Sequence, residues 1–158
     1  MIIIEPGDAS SPGAARLLAA SRALMDAEFP AESNHYLPAD AYDGPDMRFL
    51  TARKGDAVLG CVALALRDGY GEIKSLYVDE AARGTGAARA LMRAIEDVAC
   101  AEGRTLIRLE TGDTLTAARA LYSALGYAEI PPFGDYGHAP RSIYMEKTLS
   151  APAARAKV

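Results

Sequence analysis

The sequence is poor in cysteine and has no excess of positive charge, and each shortage excludes a class of protein. Its two cysteines, Cys61 and Cys100, have no Cys-x-x-Cys spacing and no nearby histidine, so neither a disulfide framework nor a metal site is expected. The formal net charge is -4 without a basic stripe, which argues against nucleic acid as a partner. The apolar run at Met1 to Ile4 is too short for a signal peptide or a membrane span, so the sequence predicts a cytoplasmic protein without membrane partners.

The remaining composition is that of an ordinary globular protein. The chain has 158 residues, of which 50% are hydrophobic and 24% charged, and this balance argues against disorder. That length suits one domain with a substantial core. We expect a single domain over residues 1–149, followed by a flexible, alanine-rich tail at 150–158.

The most informative stretch runs from Gly71 to Met92 and combines a strand, a glycine turn and a helix. The apolar spacing of the strand is irregular, with a step of three from Ile73 to Leu76 and a step of two from Leu76 to Val78. A strand alternates with a period of 2, so this spacing predicts a bulge near Ser75 and Leu76. A bulge there would splay the strand from its neighbour.

The turn Arg83-Gly84-Thr85-Gly86 opens directly into a helix. The apolar face of that helix has spacings of three and four and consists of Ala88, Leu91, Met92, Ile95, Val98 and Ala99. Unpaired amides at the helix start, with the positive end of the helix dipole, form an anion site suited to phosphate. The Gly-Lys-Ser/Thr of a nucleotide-binding loop is absent, so a turn without any ligand remains open from these residues alone.

The rest of the chain predicts the element order β, α, loop, β, β, β, α, β, α, β, β. The segments are a strand at 1–6, a helix at 13–29, a loop at 30–45, strands at 47–53, 57–67 and 106–110, a helix capped by Asp113 or Thr114, and strands at 127–130 and 142–147. The crossover between the central strand and 106–110 predicts that these two strands are parallel. Such an order is typical of a mostly antiparallel sheet with helices around it.

Two blocks of the sequence resemble the GCN5-related N-acetyltransferase (GNAT) superfamily. The first is Ile73-x-x-Leu76-x-Val78 with the turn at 83–86 and Ala90-Leu91-Met92, and the second is the segment 117–127, Ala-Ala-Arg-Ala-Leu-Tyr-Ser-Ala-Leu-Gly-Tyr. The resemblance implies an α/β (α+β) fold. Its mixed, mostly antiparallel sheet would have six to seven strands and a central splayed parallel pair, flanked by about four helices.

The resemblance also implies acetyl-CoA as cosubstrate, without a metal. The implied contacts are the pyrophosphate on the amides of Arg83, Gly84, Thr85, Gly86, Ala87 and Ala88, and pantetheine on the backbone of Leu76 and Val78. The amide of Leu76 or Tyr77, freed from the ladder by the bulge, is the candidate donor to the thioester oxygen. Two positions depart from the family pattern. Ala81 stands where Gln or Arg is frequent, and Leu115, beside Thr114, stands where Asn is common. The remaining cofactor contacts on these two sides are therefore assigned to Arg83 and Thr114.

Acetyl transfer from a thioester to an amine needs a group near the departing sulfur and a route for the amine's proton. Tyr122 stands where family members place a general acid, and it could instead be a core aromatic residue. Glu72 is the candidate base, with a solvated strand-end acid as its alternative. His35, His138 and Glu110 remain other candidates for the base, and many relatives work without a dedicated one.

The resemblance places the acceptor between the early loop and the last hairpin. The residues available there are Asn34, His35 and Tyr36 on one side and Phe133, Tyr136, His138 and Arg141 on the other. They suggest a small polar amine or an amino-acid-like acceptor with a carboxylate for Arg141. The predicted function is direct acetyl transfer to a primary amine in a ternary complex, and a homodimer is expected from the family. Two alternatives remain: a non-catalytic acyl-CoA-binding module, and a protein that binds another phosphate ligand.

Overall fold

The computed structural model describes residues 1–137 and 139–150. His138 and most of the predicted tail at 150–158 lie outside the described residues. The strands are β1 (Ile3–Pro6), β2 (Met47–Lys54), β3 (Ala57–Leu66), β4 (Gly71–Val78), β5 (Leu106–Gly112), β6 (Ala128–Ile130) and β7 (Ser142–Thr148). The α-helices are α1 (Pro12–Glu28), α2 (Ala87–Ala101) and α3 (Thr116–Ala124), and short 3-10 helices occupy Ala31–Ser33, Ala39–Asp43 and Glu80–Ala82.

All seven strands form one sheet in the order β1-β2-β3-β4-β5-β7-β6. Within the described chain, β4 and β5 are the parallel pair and every other pairing is antiparallel. The mixed sheet with a central parallel pair is therefore confirmed. Three α-helices flank it, where the resemblance implies about four. None of the helices in the described part of the chain is both long and apolar enough to span a bilayer.

The helices pack on opposite faces of the sheet because successive residues of a strand point to opposite sides. In β3, Val62 and Leu64 belong to the core on the α2 side, while Cys61 and Ala63 belong to the core beneath α1. The fully buried side chains of α2 are Leu91, Met92, Ile95 and Ala99. Burial of a large aliphatic side chain contributes roughly 1.5–3 kcal/mol, so this face anchors the helix and the glycine turn before it.

Strand β4 contains the predicted bulge. On the β3 side, Cys61 pairs with Tyr77 and Ala63 pairs with Lys74, so two steps along β3 correspond to three along β4. Ser75 lies inside this interval and has φ of 59°, in the left-handed region. The extra residue thus lies at the position that the irregular apolar spacing indicated.

The parallel pair separates at the bulge, which confirms the predicted splay. The β4–β5 ladder runs through three pairs and its last pair is Ile73 with Leu109. β5 itself continues to Gly112, paired with β7 on its other side. Beyond Ile73 the facing edges of β4 and β5 have no ladder partner in the described sheet, and a gap opens between them.

The start of α3 differs from the sequence prediction. Leu115 is the N-cap residue, and it makes no side-chain capping bond. Asp113 and Thr114, the predicted caps, instead accept hydrogen bonds from Arg141, at 3.2 Å to Asp113 Oδ1 and 3.2 Å to Thr114 Oγ1. The capping prediction was wrong because both side chains bind the guanidinium of Arg141, which is distant in sequence, and not the amides of α3.

Candidate active site

A cleft of about 630 Å³ opens between the splayed strands and the start of α2. The cleft is lined by nine of the ten residues predicted to bind the cofactor, which are Leu76, Tyr77, Val78, Arg83, Gly84, Gly86, Ala87, Ala88 and Thr114. The tenth, Thr85, does not line it, and its hydroxyl donates to Ala82 O in the preceding turn. A volume of this size is in the range of ligand-binding pockets.

The turn before α2 presents unpaired amides to this cleft. Gly84 and Gly86 have φ of 81° and 87°, in the left-handed region that glycine alone adopts easily. Gly86 is the N-cap of α2 and no side chain caps the helix, so the first helical amides have no side-chain partner. The Arg83 amide, by contrast, already donates to Glu80 O at 3.3 Å. Helix-start amides without a side-chain partner are suited to bind an anion, and Arg83 lines the same cleft.

A second cavity of about 150 Å³ adjoins the cleft. The residues that line both are Ser21, Met25, Leu76, Leu115 and Ala118. The contact between the two cavities therefore lies at the bulge, where Leu76 stands. The family-pattern departure Leu115 is an apolar part of the shared wall. Of the seven residues predicted to face the acceptor, this smaller cavity brings together four, Asn34, His35, Tyr36 and Arg141.

Tyr122 points into the smaller cavity from α3. It is 6% exposed and packs edge-on against Tyr127, with 6.0 Å between ring centroids. Burial raises the pKa of the Tyr122 phenol above its ordinary value. The hydroxyl is therefore protonated at neutral pH and is a hydrogen-bond donor rather than a source of phenolate.

Glu72 lies beneath the cavity and does not line it. It is 2% exposed, and its carboxylate accepts bonds from Arg67 Nε at 3.1 Å and from the Tyr136 hydroxyl. Lys74 Nζ lies 3.6 Å away and adds a second cation. Buried charges are found paired in this way because their desolvation is costly. The surroundings of Glu72 are those of an anchored ion pair and not of a solvated strand-end acid.

A histidine and a carboxylate meet in the smaller cavity instead. His35 Nδ1 lies 2.5 Å from Glu110 Oε2, and both residues line the cavity. Glu110 follows Leu109, the last β5 residue paired with β4, so it stands where the two strands begin to separate. Both residues were among the alternative candidates for the base, and the structure brings these two together. His138 lies outside the described residues.

Lys74 joins the two loops that enclose this cavity, and sequence reasoning missed it. Its ammonium donates to His35 O at 3.0 Å and to the Tyr136 hydroxyl at 2.6 Å. The side chain is 10% exposed. One buried cation on β4 thus fixes a residue of the early loop and a residue of the last hairpin. The available signal was the charged residue between the apolar Ile73 and Leu76 in the central strand.

Two of the predicted acceptor residues belong to a buried aromatic cluster outside the cavity. Phe133 and Tyr136 pack edge-on at 5.3 Å between centroids, and both contact Tyr144. Burial raises the pKa of Tyr136, and the neighbouring Glu72 carboxylate raises it further. The neutral Tyr136 phenol therefore serves as a donor to Glu72.

Two polar side chains of the early loop bind the C-terminal part of α1. Asn34 Nδ2 donates to Met25 O at 3.3 Å and to Asp26 Oδ1 at 3.2 Å. Its Oδ1 is the buried side-chain oxygen that lacks a hydrogen-bond partner among the described residues. The Tyr36 hydroxyl donates to the same Asp26 at 3.1 Å. The Asn34 amide is thus anchored to the end of α1, with its oxygen buried.

Arg141 borders the cavity but is largely engaged by the protein. Besides its bonds to Asp113 and Thr114, it donates to Glu28 O at 2.8 Å. Its guanidinium lies 4.8 Å from the centroid of the Phe29 ring. These contacts tie the end of α1 to the end of β5.

Gly112→Ala is expected to disturb this wall. A Cβ at Gly112 would lie 2.1 Å from Phe29 Cζ, so the ring must move and the Arg141 contact with it. Overpacking of this kind costs roughly 1–3 kcal/mol. We expect a lower melting temperature and a raised KM for the acceptor, measured by thermal unfolding and steady-state kinetics. Adding Phe29→Leu, which removes the clashing ring atoms, should recover most of the stability, and no recovery would contradict this explanation.

The splayed parallel pair and the glycine turn at the start of α2 are the features that the resemblance to the GNAT superfamily implies. The family model described as "Acetyltransferase (GNAT) family" matches residues 18–127. The chain belongs to the GNAT acetyltransferase family, as the resemblance predicted.

The chain is also similar in sequence or structure to individual acyltransferases. An IAA acetyltransferase of Azospirillum brasilense is 46% identical over 123 residues, which cover 77% of this chain and 80% of that protein. The structure of an acyl-CoA N-acyltransferase from Klebsiella pneumoniae aligns with a TM-score of 0.80 at 30% identity, over 95% of this chain and 99% of that one. A GNAT acetyltransferase from Elizabethkingia anophelis, solved with acetyl-CoA bound, has a TM-score of 0.68 at 20% identity over 94% and 98% of the chains and shares the fold.

Proposed function

We propose that this protein is an acetyl-CoA-dependent N-acetyltransferase that acetylates the primary amine of a small molecule by direct attack in a ternary complex. One observation carries the proposal. The phosphate-binding cleft and the smaller polar cavity meet at the bulge of β4, so a thioester lying along the cleft would end where an amine in the cavity could reach it. Reactants held in this way react as if at very high local concentration.

Acetyl-CoA fits the larger cleft by the chemistry of its lining. The amides from Gly84 to Ala88 would hold the pyrophosphate at the start of α2. The β4 backbone at Leu76 and Val78 faces the gap left by β5 and would pair with the amides of pantetheine. Arg83 and Thr114 would contribute side-chain contacts at the two rims. The cosubstrate supplies the acyl thioester, and the protein orients it.

The backbone amide of Leu76 is the proposed donor to the acyl oxygen. It lies at the junction of the two cavities, on the bulged side of β4. Negative charge develops on that oxygen as the amine attacks, and a preorganised donor of this kind is typically worth about 3–4 kcal/mol of barrier. The bulge therefore gives the active site its electrostatic stabilisation.

Glu110, held by His35, is the proposed acceptor of the amine's proton. Both side chains line the acceptor cavity, whereas Glu72 is buried outside it between two cations and a phenol. The amine loses a proton as its nitrogen bonds to the acyl carbon, and the Glu110–His35 pair takes that proton. Glu72, the base considered first from the sequence, is proposed to anchor Lys74 and Tyr136.

Tyr122 is proposed to stabilise the departing sulfur. The carbon–sulfur bond breaks with its electron pair on sulfur, and a thiol pKa of roughly 8.5 makes the thiolate a fair leaving group. Because burial raises the pKa of Tyr122, the phenol keeps its proton and donates a hydrogen bond to that sulfur. The thiolate then needs no full proton transfer from Tyr122.

The acceptor cavity favours a small amine. Its volume of about 150 Å³ is modest, and its wall combines the apolar Met25 and Phe29 with polar groups. Asn34 and His35 are among the polar residues of this wall. The remaining N–H groups of Arg141 would contact a carboxylate of an amino-acid-like acceptor.

Acetyl-CoA-dependent release of free thiol with a panel of small amines tests this function. We expect release that depends on the amine, and coenzyme A binding that does not. Coenzyme A binding together with no thiol release for any amine, amino acid or peptide amino terminus would instead support a non-catalytic acyl-CoA-binding module. Stabilisation by a nucleotide and not by coenzyme A would favour a different phosphate ligand.

Tyr122→Phe should lower kcat by about 10- to 100-fold, the range of a hydrogen bond to a charged group. The KM for acetyl-CoA should change little, since the bond forms to the departing sulfur. Tyr70→Phe is the matched control, because Tyr70 lies outside both cavities. An unchanged kcat in Tyr122→Phe, at unchanged melting temperature, would leave Tyr122 as a core aromatic only.

A further inference from the structure

A contact between the early loop and β4 lies directly behind the bulge. The hydroxyls of Tyr42 and Ser75 are 2.6 Å apart. Tyr42 belongs to the 3-10 helix Ala39–Asp43, is buried, and packs edge-on against Phe49 at 5.6 Å between centroids. Ser75 is the residue that makes the bulge. A buried side chain from a different segment thus contacts the bulge residue itself.

Ser75 adopts a conformation that needs support. Its φ of 59° lies in the left-handed region, which residues other than glycine avoid. Two groups hold it. The Tyr42 hydroxyl contacts its side chain, and the Cys61 thiol donates to its carbonyl oxygen at 3.5 Å. Burial raises the pKa of Cys61 to about 12 and raises the pKa of Tyr42, so both groups remain neutral and protonated at neutral pH.

The conformation of Ser75 sets the direction of the next amide. The N–H of Leu76 lies in the peptide plane that joins Ser75 to Leu76, and this plane rotates with ψ of Ser75. In a regular strand the same N–H would point across to a carbonyl of the neighbouring strand. The left-handed turn at Ser75 redirects it, and the ladder to β5 ends two residues earlier at Ile73.

We propose that Tyr42 is a positioning residue for acyl transfer: by holding Ser75 in the left-handed conformation, it fixes the bulge and the direction of the Leu76 amide. The inference rests on the proposed function, in which that amide stabilises the acyl oxygen. Tyr42 touches neither the cleft nor the acceptor cavity. It acts through Ser75 alone, so its effect must disappear when the Ser75 hydroxyl is absent.

A double-mutant cycle tests this dependence. Tyr42→Phe keeps the ring and removes the hydroxyl, and we expect kcat to fall about threefold to tenfold, as the loss of one net hydrogen bond predicts. Acetyl-CoA and acceptor are kept saturating so that the comparison concerns kcat. In a Ser75→Ala background, Tyr42→Phe should have no further effect. The same loss in both backgrounds would show that the Tyr42 hydroxyl acts independently of the Ser75 hydroxyl, and would overturn the proposal.

Ser75→Gly separates the conformation from the hydroxyl. Glycine adopts positive φ without steric cost, whereas alanine does not, and neither carries the hydroxyl. We expect Ser75→Gly to retain a higher kcat than Ser75→Ala, and Tyr42→Phe to have no further effect in the glycine background. A Ser75→Gly variant no better than Ser75→Ala would mean that the left-handed conformation is not what Tyr42 secures.

Amide hydrogen exchange over residues 75–77 tests the same contact without turnover. Tyr42→Phe should speed exchange in this segment while exchange in α2 stays as in the wild type. If the wild type binds coenzyme A but releases no thiol with any amine, the proposed function fails. The exchange result then still shows whether the Tyr42 hydroxyl stabilises the bulge at Ser75. If the wild type is active and exchange over 75–77 is unchanged in Tyr42→Phe, the positioning proposal fails and the function stands.

Discussion

Glu110→Gln is expected to lower kcat by about 10²- to 10⁴-fold, the usual contribution of a general base. Glutamine keeps the size of the side chain and its contact with His35 but accepts no proton from the attacking amine. The fold should survive, since Glu110 borders a cavity and its partner is a histidine at 2.5 Å. Thiol release at saturating acetyl-CoA and acceptor measures the loss, and thermal unfolding checks the fold.

Glu72→Gln is the matched comparison, with the opposite expected result. It leaves Lys74, 10% exposed, without its carboxylate partner and replaces the charged acceptor of the Tyr136 hydroxyl with a neutral amide. Breaking a buried ion pair from one side typically costs about 3–5 kcal/mol, so the main effect should be on the free energy of unfolding. Full activity in Glu110→Gln, together with a large kcat loss at unchanged stability in Glu72→Gln, would return the base to Glu72.

The bulge could be predicted because it leaves a mark on the sequence. Buried side chains must face the same core on both sides of an extra residue, so the apolar spacing changes from two to three between Ile73 and Leu76. The glycine turn was similarly readable, since Gly84 and Gly86 both adopt positive φ. The left-handed conformation of Ser75 left no such mark. It depends on Tyr42 and Cys61, which reach it from other segments.

The environment of the acidic residues could not be read from the sequence for the same reason. Glu72 is buried by Tyr136, 64 residues further along the chain, and Glu110 meets His35 across 75 residues. Periodicity reports which face of a strand is buried, but it does not identify the side chain that covers a given residue. The caps predicted for α3 were wrong for the same reason: Asp113 and Thr114 bind Arg141, a residue of the last hairpin that is distant in sequence.

The double variant Gly84→Ala, Gly86→Ala should weaken coenzyme A binding by about 100-fold. Both residues have positive φ, and each alanine in this region costs roughly 1–2 kcal/mol. The turn is expected to relieve this strain by rotating its peptide planes, which moves the amides away from the phosphates. Since about 1.4 kcal/mol is a factor of ten in Kd, two strained positions give the stated loss. Isothermal titration with coenzyme A measures the affinity directly.

Gly69→Ala is the control that separates phosphate binding from general strain. Gly69 lies in the turn before β4 with φ of 82°, and an added Cβ meets no atom within 4 Å, as at Gly84 and Gly86. The backbone cost per alanine is therefore the same, while the site lies outside the lining of the cleft. Gly69→Ala should lower the melting temperature and leave the Kd for coenzyme A unchanged. If Gly69→Ala weakens binding as much per residue as the double variant, the turn at 83–86 is not the phosphate site, and the position of the thioester at Leu76 loses its main support.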